Sequence, residues 1–568
     1  MDKDQARVLY REFLFRMVDR ELLSSHAQGD ANKFLGRLAA FLVWISIPFT
    51  ALSMGVRPGA ALGPEHTLIA TTMLTVAIFA VLAWDSLFPD RRDILILIPL
   101  GVKPLTIFAA KLASLAVALS VAVALFNGLP GLAFPLALMP RDASILDMLF
   151  SIQLYRNLLG YWATMFLAGG FILGCVVCLQ AAVSLLPRGM SLRLSSLLQI
   201  ATFCTAVCVY FLQPSLASLQ RLDSTATQSR MEWLPSYWFL GLLQQLTASD
   251  NGHANAALSN LAERAWLAVG IVATLSVLLL LACFGALRAI AEQPDVAPGR
   301  RKRLFTVSLG STPLAAIVQW TVRTLLRSRQ HRVLVTFYSG VGFAAIILFV
   351  QTPVAQIMAR ANKVDPWRDL SLPLTGASFV MTVCWIVGVR AAFGIPIELR
   401  ANWIFRLALN NGPSEPLAAA RVSLLAAGVA PILVVSALVF FWLWPPVKAM
   451  QHLAVLALGA TTLAAVCLRR FCKLPFACSY LPGVSQTHLM LAVSAMLGLN
   501  TLFWAANYER VALFDTVRYF QLLGILSVAV AAAWWMIRSE TVPPALNFDD
   551  VPEPAIMSLG IQGDGAPV

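Results

Sequence analysis

Along its length the chain alternates long apolar runs with short polar joints. An uninterrupted apolar run of about 18 residues or more is long enough to cross a bilayer as a helix. That rule predicts spans at about 38–55, 66–84, 105–126, 160–186, 194–213, 265–287, 333–351, 373–392, 418–443, 451–468, 487–505 and 517–537. No polar segment exceeds about 50 residues, which leaves no room for a soluble catalytic domain. The expected fold class is therefore an all-α polytopic membrane protein with about 12 transmembrane helices.

Composition agrees with this pattern. The chain is 58% hydrophobic and 12% charged, with a mean hydropathy of +0.74. Soluble domains carry about 25% charged residues. The opening "MDKDQARVLYREFLFRMVDRELL" starts with charges and reads as an amphipathic helix, so the span beginning near Leu38 is expected to serve as its own insertion signal.

The net charge of +13 raises the question of nucleic acid. The spans answer it: Lys and Arg mark the cytoplasmic joints of a membrane protein, and no nucleic-acid partner is expected. With the N-terminus inside, the basic residues concentrate in the inside segments. The strongest is the central one, 288–332, with Arg288, Arg300, Arg301, Lys302, Arg303, Arg323, Arg327, Arg329 and Arg332. Both termini are then cytoplasmic.

The even span count and the basic centre suggest two halves. "YREFLFRMVDREL" has a counterpart in "VRTLLRSRQHRVL", which pairs Arg11 with Arg323 and Arg20 with Arg332 at an offset of 312. "PDRRDILIL" and "FAAKLASLAVAL" have counterparts in "PIELRANWIFRL" and "LAAARVSLLAAG". These pair Arg92 with Arg400 at an offset of 308 and Lys111 with Arg421 at 310. Agreement at three places points to a duplication with the halves in parallel. The expected domains are a first half over 1–290, a basic linker over 291–320, a second half over 321–537 and a polar, Pro-rich cytoplasmic tail over 538–568.

The halves are unequal. An external loop over 214–264 carries "EWLPSYWFLGLLQQL", whereas the matching place in the second half holds only "NYERVALFDTVRY". Trp233, Tyr237, Trp238 and Phe239 of the long loop suit an interfacial aromatic belt.

The chemistry is mainly one of absences. There is no G-x-x-x-x-G-K-[ST] phosphate loop and no G-x-S-x-G elbow. The six histidines are scattered, without metal-ligand spacing. Cys175 and Cys178 form a C-x-x-C inside a span, where small apolar packing is the reading. No pair of carboxylates sits mid-span, and the deepest charge is Lys111, with Arg421 at the same place in the second half. Both fit basic anchors at the interface. No catalytic, cofactor-binding or metal residue is expected, and the chain is expected not to be an enzyme.

One polar joint stands out. In "FPDRRDILILIPL" four consecutive charges, Asp90, Arg91, Arg92 and Asp93, precede five aliphatics. Burying four charges at a bilayer centre would cost on the order of 10 kcal/mol, so the segment belongs in water or at the interface. Pro89 suits a helix start, Asp90 and Asp93 complement its dipole, and Pro99 with Gly101 end it early. Its charged end is expected to project toward a soluble partner while Ile94, Leu97 and Ile98 pack on the spans.

These features resemble the ABC-2-type exporter permeases: an amphipathic helix before the first span, a short charged helix between spans two and three, six spans per half, and an external helical insertion between spans five and six. The resemblance implies a fused, double-length transmembrane subunit in a bacterial-type inner membrane. It would bind no cofactor itself and export an unknown substrate while a separate ATP-binding subunit, in two copies, hydrolyses ATP. Asp90, Arg91, Arg92 and Asp93 would contact one ATPase copy. Glu398, Arg400 and Arg406 would be a weaker contact to the other, because "RANWIFRLALNNGPSEP" lacks the charge cluster. The alternative is a major-facilitator-type secondary transporter, which also has 6+6 parallel halves. Against it stand the aliphatics after the charge cluster, the large external loop and the lack of central carboxylates.

Overall fold

A computed structural model describes residues 3–22, 31–54, 62–84, 87, 91–139, 150–213, 232–247, 256–292, 312–359, 367, 369–395, 397, 414–469, 474–476 and 488–538. Among the described residues there is no strand, and ten helices are long and apolar enough to cross a membrane. The protein is an all-α, multi-pass membrane protein. The ten helices fall on ten of the expected spans, and the first and eleventh expected spans fall on two further helices, Ala31–Met54 and His488–Phe514. The chain divides into two compact units, one holding the described helices up to Glu292 and the other those from Pro313 onward.

The first unit runs α1 (Lys3–Leu22), α2 (Ala31–Met54), α3 (Leu62–Leu82), α4 (Arg91–Leu97), α5 (Pro104–Asn127), α6 (Pro130–Ala137), α7 (Ile152–Ser184), α8 (Arg188–Leu212), α9 (Pro235–Thr247) and α10 (Ala256–Glu292). Local chemistry sets several boundaries. Pro104 opens α5 where its missing N–H costs nothing. Ser151 caps α7 by accepting from the Gln153 amide at 3.2 Å. Gly101 closes the α4 turn at φ 81°, a left-handed conformation natural to glycine, with its amide on the Ile98 carbonyl at 3.0 Å.

α3 is the hub of this unit. Leu68, Ile69, Met73 and Val76 on it meet Tyr161, Met165 and Ala168 of α7 and Leu240 and Leu243 of α9 in one core. Tyr237 and Phe239 of α9 are fully buried there, which corrects the expectation that they form an interfacial belt; Trp233 alone of the four is largely exposed. α6 was not expected. It packs on α2 and α7 and is held in a sequence with two prolines, Pro130 at its first turn and Pro135 inside.

The second unit runs α11 (Pro313–Arg327), α12 (Arg329–Ala359), α13 (Ser371–Ala392), α14 (Ser414–Leu424), a π turn over Leu425–Val429, α15 (Ala430–Leu443), α16 (Pro446–Leu468), α17 (His488–Phe514) and α18 (Thr516–Arg538). Thr312 caps α11 by accepting from the Ala315 amide at 3.3 Å, with Pro313 at the first position. The π turn has a local cause. Pro431 has no N–H to give to the Ala427 carbonyl, and Trp385 of α13 donates its indole N–H to that oxygen at 3.2 Å.

The two units share a set of neighbours. The amphipathic helix lies on the third span in each, α1 on α5 and α11 on α14. The second span packs on the fourth and fifth in each, α3 on α7 and α8, α13 on α16 and α17. The fourth packs on the sixth, α7 on α10 and α16 on α18. They differ at the first span, which lies on α5 and α6 in the first unit but runs along the second span, α13, in the second.

Candidate functional site

The charged joint forms α4, a helix of 7 residues that begins at Arg91. Asp90, Glu398, Arg400 and Arg406 lie outside the described residues, as do the side chains of Arg91 and Arg92. Asp93 sits half-buried in the first turn. Ile94 is buried against Ile98 and Phe108. Leu97 and Ile98 pack with Phe13 of α1 and Ile107 and Ala110 of α5. The aliphatic residues thus dock as their pattern predicts. Leu95 and Ile96, on the other side of α4, are exposed, and α4 also touches α10.

Lys111 is 7% exposed, covered by α1, with Nζ 4.9 Å from the centre of the Phe13 ring. The amphipathic helix thus lies over this cation. Arg421 is half-buried in the last turn of α14, beside the place where Ala419 packs on Ile317 and Val318 of α11. Lys111 and Arg421 therefore occupy matching places in the two units.

At the far end of each unit from its amphipathic helix lies a buried polar network. In the first unit it starts from Glu65 and His66 in the first turn of α3. Gln244 of α9 donates to the Glu65 carboxylate. His66 Nε2 lies 3.0 Å from Ser236 Oγ, and its ring stacks on Tyr237 at 4.0 Å between centres. Burial pushes the Tyr237 phenol above its ordinary range. Deeper along α3, the Asn127 carbonyl oxygen accepts from the Tyr161 hydroxyl at 2.8 Å, and the Asn127 amide donates to the Val123 carbonyl at 3.0 Å and Thr72 Oγ1 at 3.2 Å. α9 is thus pinned to α3 by polar bonds and to the core by its aromatics.

In the second unit the network crosses three helices. Ser378 of α13, His452 of α16 and Glu509 of α17 are 8%, 0% and 0% exposed. His452 Nε2 lies 3.1 Å from Ser378 Oγ, and His452 Nδ1 lies 2.7 Å from Glu509 Oε1. Phe440 and Trp444 box the imidazole at 4.2 and 5.6 Å between ring centres. Residue positions along each helix put the three groups about 8–10 Å from the nearest helix ends. Ser378 and His452 lie nearer the middles of their helices than the ends, and Glu509 lies nearer the end of its own.

Lys111 is not alone among buried ionisable groups, because Glu65, His66, His452 and Glu509 are buried as well. The sequence hides them because their partners are remote: Glu509 lies 57 positions from His452, and Ser378 lies 74. The available signal was a histidine or glutamate inside an apolar run, together with the helical spacing of Thr375, Ser378 and Thr382 along α13.

The order serine, histidine, carboxylate is that of an acyl-transfer site. Ser378, however, lies inside α13, where the backbone amides around it are committed to the helix, so no N–H pair can serve an oxyanion. Among the described residues no group of three His, Cys, Asp or Glu is placed to hold a metal ion. The arrangement is suited to holding a proton and three helices together. In comparisons with known proteins, no family model, no curated protein and no solved structure matches the chain.

Proposed function

We propose that the chain is the transmembrane subunit of an ATP-driven exporter of the ABC-2 type, with two parallel six-span halves and both termini cytoplasmic. A separate ATP-binding subunit, in two copies, supplies the energy. The observation that supports this reading most is the shared packing of α1, α4 and α5 around Phe13, Ile98 and Ile107. α4 is about 10 Å long, docked through Ile94, Leu97 and Ile98, with Leu95 and Ile96 left exposed. A force on its charged end passes straight into the third span and the amphipathic helix. The matching arrangement of α11 on α14 gives the second half a similar receiver.

In this mechanism ATP closes the ATPase dimer, which pushes on the Asp90–Asp93 cluster and on the segment around Glu398, Arg400 and Arg406. The two halves tilt, and a path opens to the outer face. The test is to add the ATPase to the reconstituted chain and follow hydrolysis. The expected outcome is stimulation by the wild type and its loss in Arg91→Glu/Arg92→Glu with the spans still folded. Full stimulation in that variant would exclude the contact.

The secondary-transporter alternative gains one specific observation, the buried His452–Glu509 pair, since carriers bind coupling ions on intramembrane ionisable groups. Such sites lie near the midplane between repeats. This pair is complete within one unit, which favours the permease.

A further inference from the structure

We propose that Ser378, His452 and Glu509 form a proton-binding site, and that loss of one of its protons opens the Trp444 end of the second unit to water. This stands apart from the ATPase reading and holds whichever source of energy drives the protein.

The inference comes from counting protons. Ser378 donates its hydroxyl hydrogen to the Thr375 carbonyl at 2.8 Å. Its oxygen then accepts from His452 Nε2, which must carry a hydrogen. The short Nδ1–Oε1 contact of 2.7 Å needs a second hydrogen between the two atoms. With both protons present the group is neutral overall. The shared proton rests on nitrogen, as imidazolium and carboxylate, or on oxygen, as imidazole and acid. With one proton the Ser378 hydroxyl turns to Nε2, Nδ1–H donates to the carboxylate, and the group carries a net charge of −1.

Among the described residues the cations around the site are committed to other groups. α15 contributes the apolar faces of Phe440 and Trp444. On α16, Lys448 donates to the Leu513 carbonyl and lies 5.8 Å from the Trp367 ring. On α17, Arg510 is exposed and donates to Asn507 Oδ1 at 3.2 Å. At the start of α18, Arg518 pairs with Asp515 at 3.2 Å, and the Tyr519 hydroxyl donates to the Gln451 carbonyl at 3.2 Å. Asp369, the acidic residue before α13, is exposed and would only add negative charge. A buried net charge without a partner is costly.

Glu509 supplies a second, independent sign. Its Oε2 is buried and accepts no hydrogen bond. A purely structural tie would satisfy both oxygens. An orphan oxygen is tolerable while the group is neutral and becomes a strong call for water once the proton leaves. Because the site joins α13, α16 and α17, water can reach Oε2 only if those helices part. Proton binding and closure are therefore linked, with the proton-bound form closed and the end opening as pH rises.

The test is hydrogen–deuterium exchange of the full chain in lipid nanodiscs between about pH 5 and 9, corrected for intrinsic exchange. The expected result is that amides over 443–452 and 505–515 exchange at least about tenfold faster above a single-proton step than below it. Glu509→Gln, which cannot lose a proton, should stay protected throughout. A wild type without the step, or a step that persists in Glu509→Gln, would overturn the proposal. So would a step that follows sodium concentration at fixed pH. Should Glu509→Gln fail to fold, an infrared titration in the Glu65→Gln background removes the other carboxyl that is buried among the described residues and keeps the site intact. A change in the Glu509 carboxyl and His452 ring bands at the midpoint of the exchange step supports the site, and its absence overturns it.

Discussion

The two units solve the same problem at their far ends with different materials. Each has a helix pair that must be closed against water and a buried histidine that bonds a serine. In the first unit an added helix, α9, does the closing, and its bonds to α3 run from neutral groups, Ser236 and Gln244, to His66 and Glu65. In the second there is no described helix between α17 and α18, which meet at a tight turn where Asp515 accepts from the Val517 amide at 3.0 Å. There the spans close on each other through an ionisable pair. One end is thus a lid made of extra chain, the other a latch made of a proton. The comparison shows how two similar bundles can respond to different signals.

The largest effect that sharpens this contrast is expected at the latch. His452→Ala leaves Glu509 buried without a partner and should cost about 3–5 kcal/mol in thermal unfolding. His66→Ala removes a bond between uncharged groups and should cost about 1–3 kcal/mol. Equal losses would erase the distinction between lid and latch.

Glycines give the next test. A Cβ on Gly241 would lie 2.5 Å from the Leu258 carbonyl oxygen and 2.8 Å from the Ala262 amide nitrogen, both backbone atoms that have little room to yield. Gly241→Val should push α9 off α10 and cost about 1–3 kcal/mol, read as faster proteolysis over 232–247. Gly376 in the second unit has only Ala506 Cβ at 3.9 Å. It lies beside an apolar recess of about 190 Å³ lined by Phe349, Leu372 and Phe503, so Gly376→Ala should leave proteolysis unchanged.

A smaller effect is expected at the third spans. α5 runs unbroken from Pro104 to Asn127, whereas its counterpart carries the π turn whose Ala427 carbonyl depends on Trp385. Trp385→Phe should cost about 1 kcal/mol in unfolding. A loss near zero would mean that water satisfies the carbonyl.

The sequence carries the spans well because an apolar run long enough to cross a bilayer has few other folds open to it. It also carries α4, whose prolines and charges act within a few residues, but not the start of α11, which begins at Pro313 inside the expected linker. It carries less where a segment fits two roles. Tyr237 and Phe239 are as suited to an interface as to a core, and only α3 and α7 packed around them decide for the core. α6 is hidden because "PGLAFPLA" has two prolines, and its helix depends on α2 and α7. The latch is least legible of all. Its three members lie on three helices, and nothing local to His452 announces Glu509.

The central claim is that this chain receives its energy from another protein through α4. Purification of the intact chain from its native membrane in mild detergent, with the bound proteins identified by mass spectrometry, tests that most directly. The account predicts a co-purifying subunit with a P-loop, in two copies per chain, whose amount falls sharply in Arg91→Glu/Arg92→Glu. Recovery of the chain without any ATP-binding protein, from membranes in which it is active, would contradict it.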